Sequence, residues 1–176
     1  MNQTVLVVVD MQNDFIDGVL GTPEAVHITP EVIRLVHEFE GRVVFTQDTH
    51  FSDYLSTQEG QHLPVIHCIE HTPGWELQRD LKAYQSVHHS PIFKKHTFGS
   101  TALAQTLVRW HNETPLTAIT LVGLCTDICV ISNASLIKAY LPEVPLHVIA
   151  SACAGVTPQS HDNALSALRM IQVNID

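Results

Sequence analysis

Three kinds of side chain able to pass a proton among themselves stand at or shortly after the ends of apolar runs. Asp10 closes the run in "TVLVVVDMQNDF", Lys94 and Lys95 close "SPIFKKHTFGST", and Cys129 lies two residues after Asp127 in "GLCTDICV". A carboxylate, an ammonium and a thiol supply a base, a charge partner and a nucleophile if the fold gathers them. Each residue also has a bland reading: Asp10 as a turn or helix cap, the lysines as a solvated pair, Cys129 as a small core hydrophobe. Adjacent strand residues point to opposite faces, so at most one of Lys94 and Lys95 looks into a shared site. Cys129 falls in the first turn of a helix, where N–H groups and the positive end of the macrodipole favour a thiolate and offer an oxyanion hole. A metal pair made of Cys125 and Cys129 finds no second cysteine pair and no nearby histidine to close a four-ligand set.

A second group lies in "TQDTHFSDYLSTQEGQHLPVIHCIEHTPG". Asp48 and His50 share a face if the preceding strand runs through them, because strand side chains repeat every two residues. His67 follows across an irregular stretch. One carboxylate and two imidazoles suit a single divalent ion, zinc first and manganese or iron as alternatives, with positions left open for water or ligand. Glu59 is the first choice for a further ligand, with His62 in reserve and Asp53 after them. His71, His88, His89 and His96 read as solvated surface histidines.

The elements that must carry these residues alternate. Short β-branched or apolar runs occur at Val5–Val9, Arg42–Thr46, Ala118–Gly123, Leu146–Ala150 and Met170–Ile175, with a brief strand expected at Pro91–Phe93. Helical patterns lie between them: Pro30–Phe39 behind Thr29 as N-cap, Ser100–His111, Asp127–Tyr140, and Pro158–Leu168 behind Thr157. Continuous apolar strands alternating with helices predict a doubly wound α/β domain, with a parallel sheet covered on both faces. Residues 49–91 break the rhythm and hold at most one short helix, near Trp75–Ala83. This stretch is expected to be a functional insertion in a single domain spanning 1–176, because open α/β sheets bind ligands at the carboxyl ends of their strands.

Bulk properties narrow the partner. Eighteen acidic against nine basic residues, with the basic ones scattered apart from Lys94-Lys95, exclude a phosphate-backbone binder. No stretch approaches the roughly 20 apolar residues of a membrane span, and the N-terminal run is too short for a signal sequence. The four cysteines, at 68, 125, 129 and 153, have no framework spacing and are expected as free thiols in a reducing cytoplasm. A small-molecule partner is what remains.

"VVVDMQNDF", "QDTH", "HCIEHTPG", "FKKHTF" and "VGLCTDICV", in this order, resemble the isochorismatase-like cysteine hydrolases, and more closely their nicotinamidase/pyrazinamidase branch. The resemblance runs from about residue 4 to 174. It implies a six-stranded parallel sheet in a Rossmann-like three-layer αβα fold and a catalytic triad of Asp10, Lys95 and Cys129. Lys95 is preferred over Lys94 because the family's lysine has an aromatic three residues on, here Phe98. A cis peptide five residues before the nucleophile falls at Leu124-Cys125 and aims the backbone N–H of Cys125, with that of Cys129, at a developing oxyanion. A metal held by Asp48, His50, His67 and a variable fourth ligand, matched by Glu59, binds the pyridine nitrogen of the substrate. Phe15 and Leu124 are the expected pocket walls, since the aromatic usual shortly before the metal-binding histidine is missing from "HLPVIH". The implied reaction is deamidation of nicotinamide, and of pyrazinamide, through a cysteine thioester. The alternatives are another small amide or N-carbamoyl substrate, or an idle ligand- or zinc-binding relative. Members of the family are often homo-oligomers, which implies a dimer or tetramer.

Overall fold

The central strand explains the rest of the sheet. Thr4–Val9 (β1) is buried from Val5 onward, as a strand flanked by neighbours and covered on both faces must be. In the computed structural model, which describes residues 3–176, β1 lies between Arg42–Asp48 (β2) and Ala118–Leu124 (β4). Ile92–Lys95 (β3), Leu146–Ala154 (β5) and Asn174–Ile175 (β6) complete a six-stranded sheet in the order β3-β2-β1-β4-β5-β6, every pairing parallel.

Alternate side chains feed two cores. Val5, Val7 and Val9 join Leu121 under Thr101–Glu113 (α5), Ile131–Tyr140 (α6) and Pro158–Met170 (α7), through Leu103, Leu107, Ile137, Leu165 and Leu168. Leu6, Val8 and Phe45 face the other way, under Asn13–Ile16 (α1), Pro23–Glu38 (α2) and Arg79–His88 (α4), through Ile16, Val32, Val36 and Leu81. The chain moves outward from β1 to β3, then crosses back to β4, so the strand order reverses between β1 and β4. Open α/β sheets bind ligands at the carboxyl strand ends of such a switch point, and Asp10 and the turn after β4 sit there.

Several boundaries differ from the sequence expectation. The helix expected at Pro30–Phe39 begins seven residues earlier, with Thr22 as N-cap accepting from Ala25 N at 3.0 Å and Pro23 in its first turn. Thr22-Pro23 and Thr29-Pro30 carry the same start signal, and packing selects the first. Ala25, Ile28, Val32 and Val36 form one buried stripe, which outweighs the missing N–H of Pro30 inside the helix. Thr29 therefore caps nothing; its hydroxyl donates to Ala25 O at 2.8 Å. The strand expected at Met170–Ile175 is only β6, because α7 runs through Met170. The short helix near Trp75–Ala83 is α4, starting at Arg79, and the brief strand at Pro91–Phe93 is β3, ending at Lys95. Asp127 does not open a regular helix: Thr126–Val130 form a widened π-type turn, with Val130 N donating to Cys125 O at 3.0 Å, and α6 follows.

The insertion also has more structure than its composition suggests. A single 3-10 turn at Tyr54–Ser56 leads into Gln58–His62 (α3), whose N-cap Thr57 accepts from Gly60 N. Among the described residues, no helix is long and apolar enough to cross a membrane.

Candidate active site

Asp10 is the residue directly beyond β1, and its backbone adopts a left-handed φ of 46°. Aspartate tolerates that region better than most residues, and the bend turns its carboxylate across the sheet end. Thr46 of β2 holds it there. The Thr46 hydroxyl donates to Asp10 Oδ1 at 2.6 Å and accepts from Asp10 N at 3.2 Å. The second oxygen, Oδ2, lies 2.6 Å from Lys95 Nζ, with both side chains almost fully buried. Lys94, on the opposite face of β3, points outward to Glu70 at 2.7 Å. The two lysines thus divide as strand alternation requires.

Lys95 is the hub of the site. Besides Asp10, its ammonium reaches Asp48 Oδ1 at 3.2 Å and Cys129 Sγ at 3.5 Å, one partner for each of its three protons. Cys129 sits in the π-type turn after β4 and is buried. The peptide Leu124-Cys125 is cis. The backbone of Cys125 begins the turn, and its carbonyl accepts from Ile128 N and Val130 N.

Burial dominates the electrostatics. It pushes the Asp10 carboxyl above the usual carboxylate range although Lys95 pulls the other way, and it pushes the Cys129 thiol well up, aided by the charge of Asp10. Burial opposes the charge on Lys95, yet Asp10, Cys129 and Asp48 together raise its pKa and keep it an ammonium. Cys125, whose thiol burial pushes up to about 12, has an inert sulfur. Cys68 and Cys153 are buried free thiols as well.

Asp48 joins this group to a second one. Its Oδ2 lies 3.0 Å from His50 Nε2 and 3.7 Å from His67 Nε2, while Glu59 Oε1 lies 3.6 Å from His50 and 3.9 Å from His67. All four donor atoms fall within 4.8 Å of one another. His67 Nδ1 bonds to Val65 O at 2.7 Å, which leaves Nε2 aimed into the cluster, the arrangement usual for a metal-binding imidazole. Burial would raise the Asp48 carboxyl, but hydrogen bonding to His50 and His67 and the charge of Lys95 hold it far below the usual range. Burial likewise disfavours a charged His67, and its contacts with Asp48 and Val65 O prevail and raise its pKa. Burial and Asp48 together raise the Glu59 carboxyl. Two imidazoles and two carboxylates at this spacing fit one divalent ion.

The reserve ligand does not join. His62 is exposed on the insertion helix, with Nδ1 bonded to Gln58 O, and Asp53 is exposed as well. His71, His88, His89 and His96 are exposed, as solvated histidines should be. Phe15 lies against His67, ring centroids 5.5 Å apart. Leu124 is almost fully buried in the apolar cluster under α2, against which Phe15 and Cys125 also pack.

Other side chains position the site without having been singled out. Gln12 is fully buried and clamps the Asp48 peptide, accepting from Asp48 N at 2.7 Å and donating to Asp48 O at 2.9 Å and Trp75 O at 2.8 Å. Asp14 accepts from Cys68 N at 2.7 Å and so ties His67's neighbour to the end of β1. Tyr54 packs its ring on both His50 and His67, at 4.6 and 5.0 Å. It supplies an aromatic that "HLPVIH" lacks, from thirteen residues before His67. Thr46 was open to detection, since it sits two before Asp48 on the same strand face. Gln12 and Asp14 lie within "DMQNDF", where only the motif as a whole stood out.

A family model for the isochorismatase domain matches residues 4–175. The chain belongs to the isochorismatase family. A nicotinamidase/pyrazinamidase of Mycobacterium tuberculosis is 25% identical over 182 residues, covering 97% of this chain and 96% of the relative. The crystal structure of the nicotinamidase PncA from Bacillus subtilis superposes with a TM-score of 0.81 at 27% identity, over 98% of each chain. At 24% identity, the pyrazinamidase of Pyrococcus horikoshii, solved in complex with zinc, shares the fold with a TM-score of 0.80 over 99% of this chain and 98% of its own. The relatives and structures it resembles include proteins named as nicotinamidases and pyrazinamidases, and the chain is a hydrolase of amide C–N bonds.

Proposed function

We propose that this hydrolase deamidates nicotinamide, and pyrazinamide by the same route, with Cys129 as nucleophile. The observation that carries the reading is the single buried contact set of Lys95 with Asp10, Cys129 and Asp48. It places a base, a charge partner and a thiol together, with a metal-ligand group one carboxylate away.

The thiol is neutral at rest, because burial holds its pKa well up. Attack therefore needs the proton to leave as the carbon–sulfur bond forms. Asp10 takes that proton, its basicity raised by burial, and Lys95 stabilises the thiolate that develops. The sulfur adds to the carboxamide carbon, and the oxyanion is received by the N–H groups of Cys125 and Cys129. Asp10 then returns the proton to the nitrogen, ammonia departs as the C–N bond breaks, and a thioester remains. Water, deprotonated by Asp10, adds to the thioester, and the acid leaves as the proton passes back to the sulfur. One amide and one water thus yield one acid and one ammonia.

Asp48, His50, Glu59 and His67 would hold one divalent ion, with zinc the first choice for that donor set. When bound, the ion supplies a Lewis-acid anchor for the pyridine nitrogen, which orients the amide over the sulfur. Phe15 forms a wall beside His67, and Tyr54 backs both imidazoles.

Ammonia release from nicotinamide, with and without a chelator, tests substrate and metal together; pyrazinamide and an N-carbamoyl compound serve as comparison substrates. Turnover of nicotinamide that disappears in Cys129→Ala supports the proposal. Turnover of the N-carbamoyl compound alone would move the chain to the alternative substrate class, and full activity of Cys129→Ala would remove the covalent route.

A further inference from the structure

The π-type turn that carries Cys129 is anchored by a residue that touches neither a reacting group nor a metal ligand. Asn133, in the first turn of α6, is almost fully buried. Its Nδ2 donates to Cys129 O at 2.8 Å and to Phe98 O at 3.3 Å, and its Oδ1 accepts from Ser100 N at 2.9 Å. Phe98 and Ser100 belong to the segment that leaves Lys95 and enters α5, where Ser100 is the N-cap. One amide therefore ties the backbone of the nucleophile to the loop that follows its cation partner.

Gly99 shows how closely these two pieces approach. A Cβ at that position would fall 2.6 Å from Leu136 Cδ1 and 3.1 Å from Ser132 O, both on α6. The loop lies directly on α6, and the Asn133 amide fills the polar gap beside the contact. In a widened turn the carbonyls are spread from their usual helical partners, so a side-chain donor on Cys129 O fixes an angle that the helix ladder does not.

We propose that Asn133 is a positioning residue for the reaction, setting Cys129 Sγ at its distance from Lys95 Nζ through the carbonyl of Cys129 and the 98–100 backbone. The proposal rests on Cys129 being the nucleophile, but not on which amide it attacks. Small displacements of reacting atoms cost large factors in rate, about 100-fold for roughly 1 Å. Loss of one such tie is expected to cost about tenfold, because about 1.4 kcal/mol of lost transition-state stabilisation is a factor of ten.

The test is Asn133→Asp, which keeps the acceptor for Ser100 N while turning the donor on Cys129 O into an acceptor. Two rates are measured on the zinc-supplemented enzyme at a temperature well below its unfolding midpoint: alkylation of Cys129 by chloroacetamide, located by peptide mass mapping, and nicotinamide turnover. The expected result is an alkylation rate and a kcat each lowered about tenfold, with KM within about twofold of wild type, since the pocket walls are untouched. Wild-type alkylation and kcat in a folded variant would overturn the proposal and leave Asn133 a purely structural residue. If Asn133→Asp does not fold, Asn133→Ser, whose small side chain leaves room for a water, is held to the same two criteria. The alkylation rate uses no amide substrate, so a wild-type enzyme that ignores nicotinamide refutes the proposed substrate while the positioning role is still decided.

Discussion

Replacing Lys95 with methionine removes a charge at the most connected point of the site while keeping length and volume. Three acceptors lose their partner: Asp10 Oδ2 at 2.6 Å, Asp48 Oδ1 at 3.2 Å and Cys129 Sγ at 3.5 Å. Breaking a buried ion pair by removing one member costs about 3–5 kcal/mol, because an uncompensated charge stays behind. For a domain of this size about 1 kcal/mol lowers Tm by roughly 2–4 °C, so the midpoint should fall by about 6–20 °C. The loss should depend on pH. Asp10 is already raised by burial, and Lys95 is the group that holds it down, so without Lys95 its folded-state pKa rises further above the unfolded value. A carboxyl raised in this way is stabilised when protonated. Its penalty is absent below the unfolded pKa, about 3.9, and grows as pH rises through the folded one. The deficit of Lys95→Met relative to wild type is therefore larger at pH 8 than at pH 5. Thermal unfolding followed by circular dichroism, and urea unfolding followed by the fluorescence of Trp75 and Trp110, at both pH values, measure it. An unchanged midpoint, or a deficit of equal size at pH 5 and pH 8, would refute the account of Asp10 as a charge held in place by Lys95.

Three further outcomes are expected. Cys129→Ala should lose about 10³-fold or more in kcat/KM, whereas Cys125→Ala keeps the backbone N–H and should stay within about threefold of wild type, read as ammonia release. Glu59→Ala should weaken zinc binding about 100-fold or more, while His62→Ala leaves it unchanged; competition against a chromophoric chelator separates them, and the reverse order would move the fourth ligand to His62. Gly123, at φ 113° and with a would-be Cβ only 2.2 Å from Val9 O, admits no side chain, so Gly123→Ala should lower stability by more than about 2 kcal/mol; an unchanged urea midpoint would show that β1 and β4 can separate there.

Much of this protein was legible along the chain. Uninterrupted apolar runs such as Val5–Val9 mean a strand covered on both faces, and a residue placed just beyond such a run reaches the carboxyl edge wherever the strand lies in the sheet. Asp10 and the pair Lys94-Lys95 were readable for that reason, Asp48 and His50 from their two-residue spacing, and Cys129 from the helix start expected after β4, while the choice of Lys95 over Lys94 came from the family resemblance. Local signals failed where two equal ones competed: Thr22-Pro23 and Thr29-Pro30 both announce a helix, and only the stripe buried against the sheet makes the first the real start.

What tertiary structure alone decided is which groups meet. That Lys95 touches Asp10, Asp48 and Cys129 at once depends on β2 and β3 lying on one side of β1 and β4 on the other. That Glu59 rather than His62 joins His50 and His67 depends on the turn and helix of the insertion, and on Tyr54 packed beneath both rings. Residue types and spacing specify the chemistry available at each strand end, because side-chain direction is a local property. The distances between strand ends are set by topology and packing, and through them the positions of Gln12, Tyr54 and Asn133, whose partners lie 36, 13 and 33 residues away.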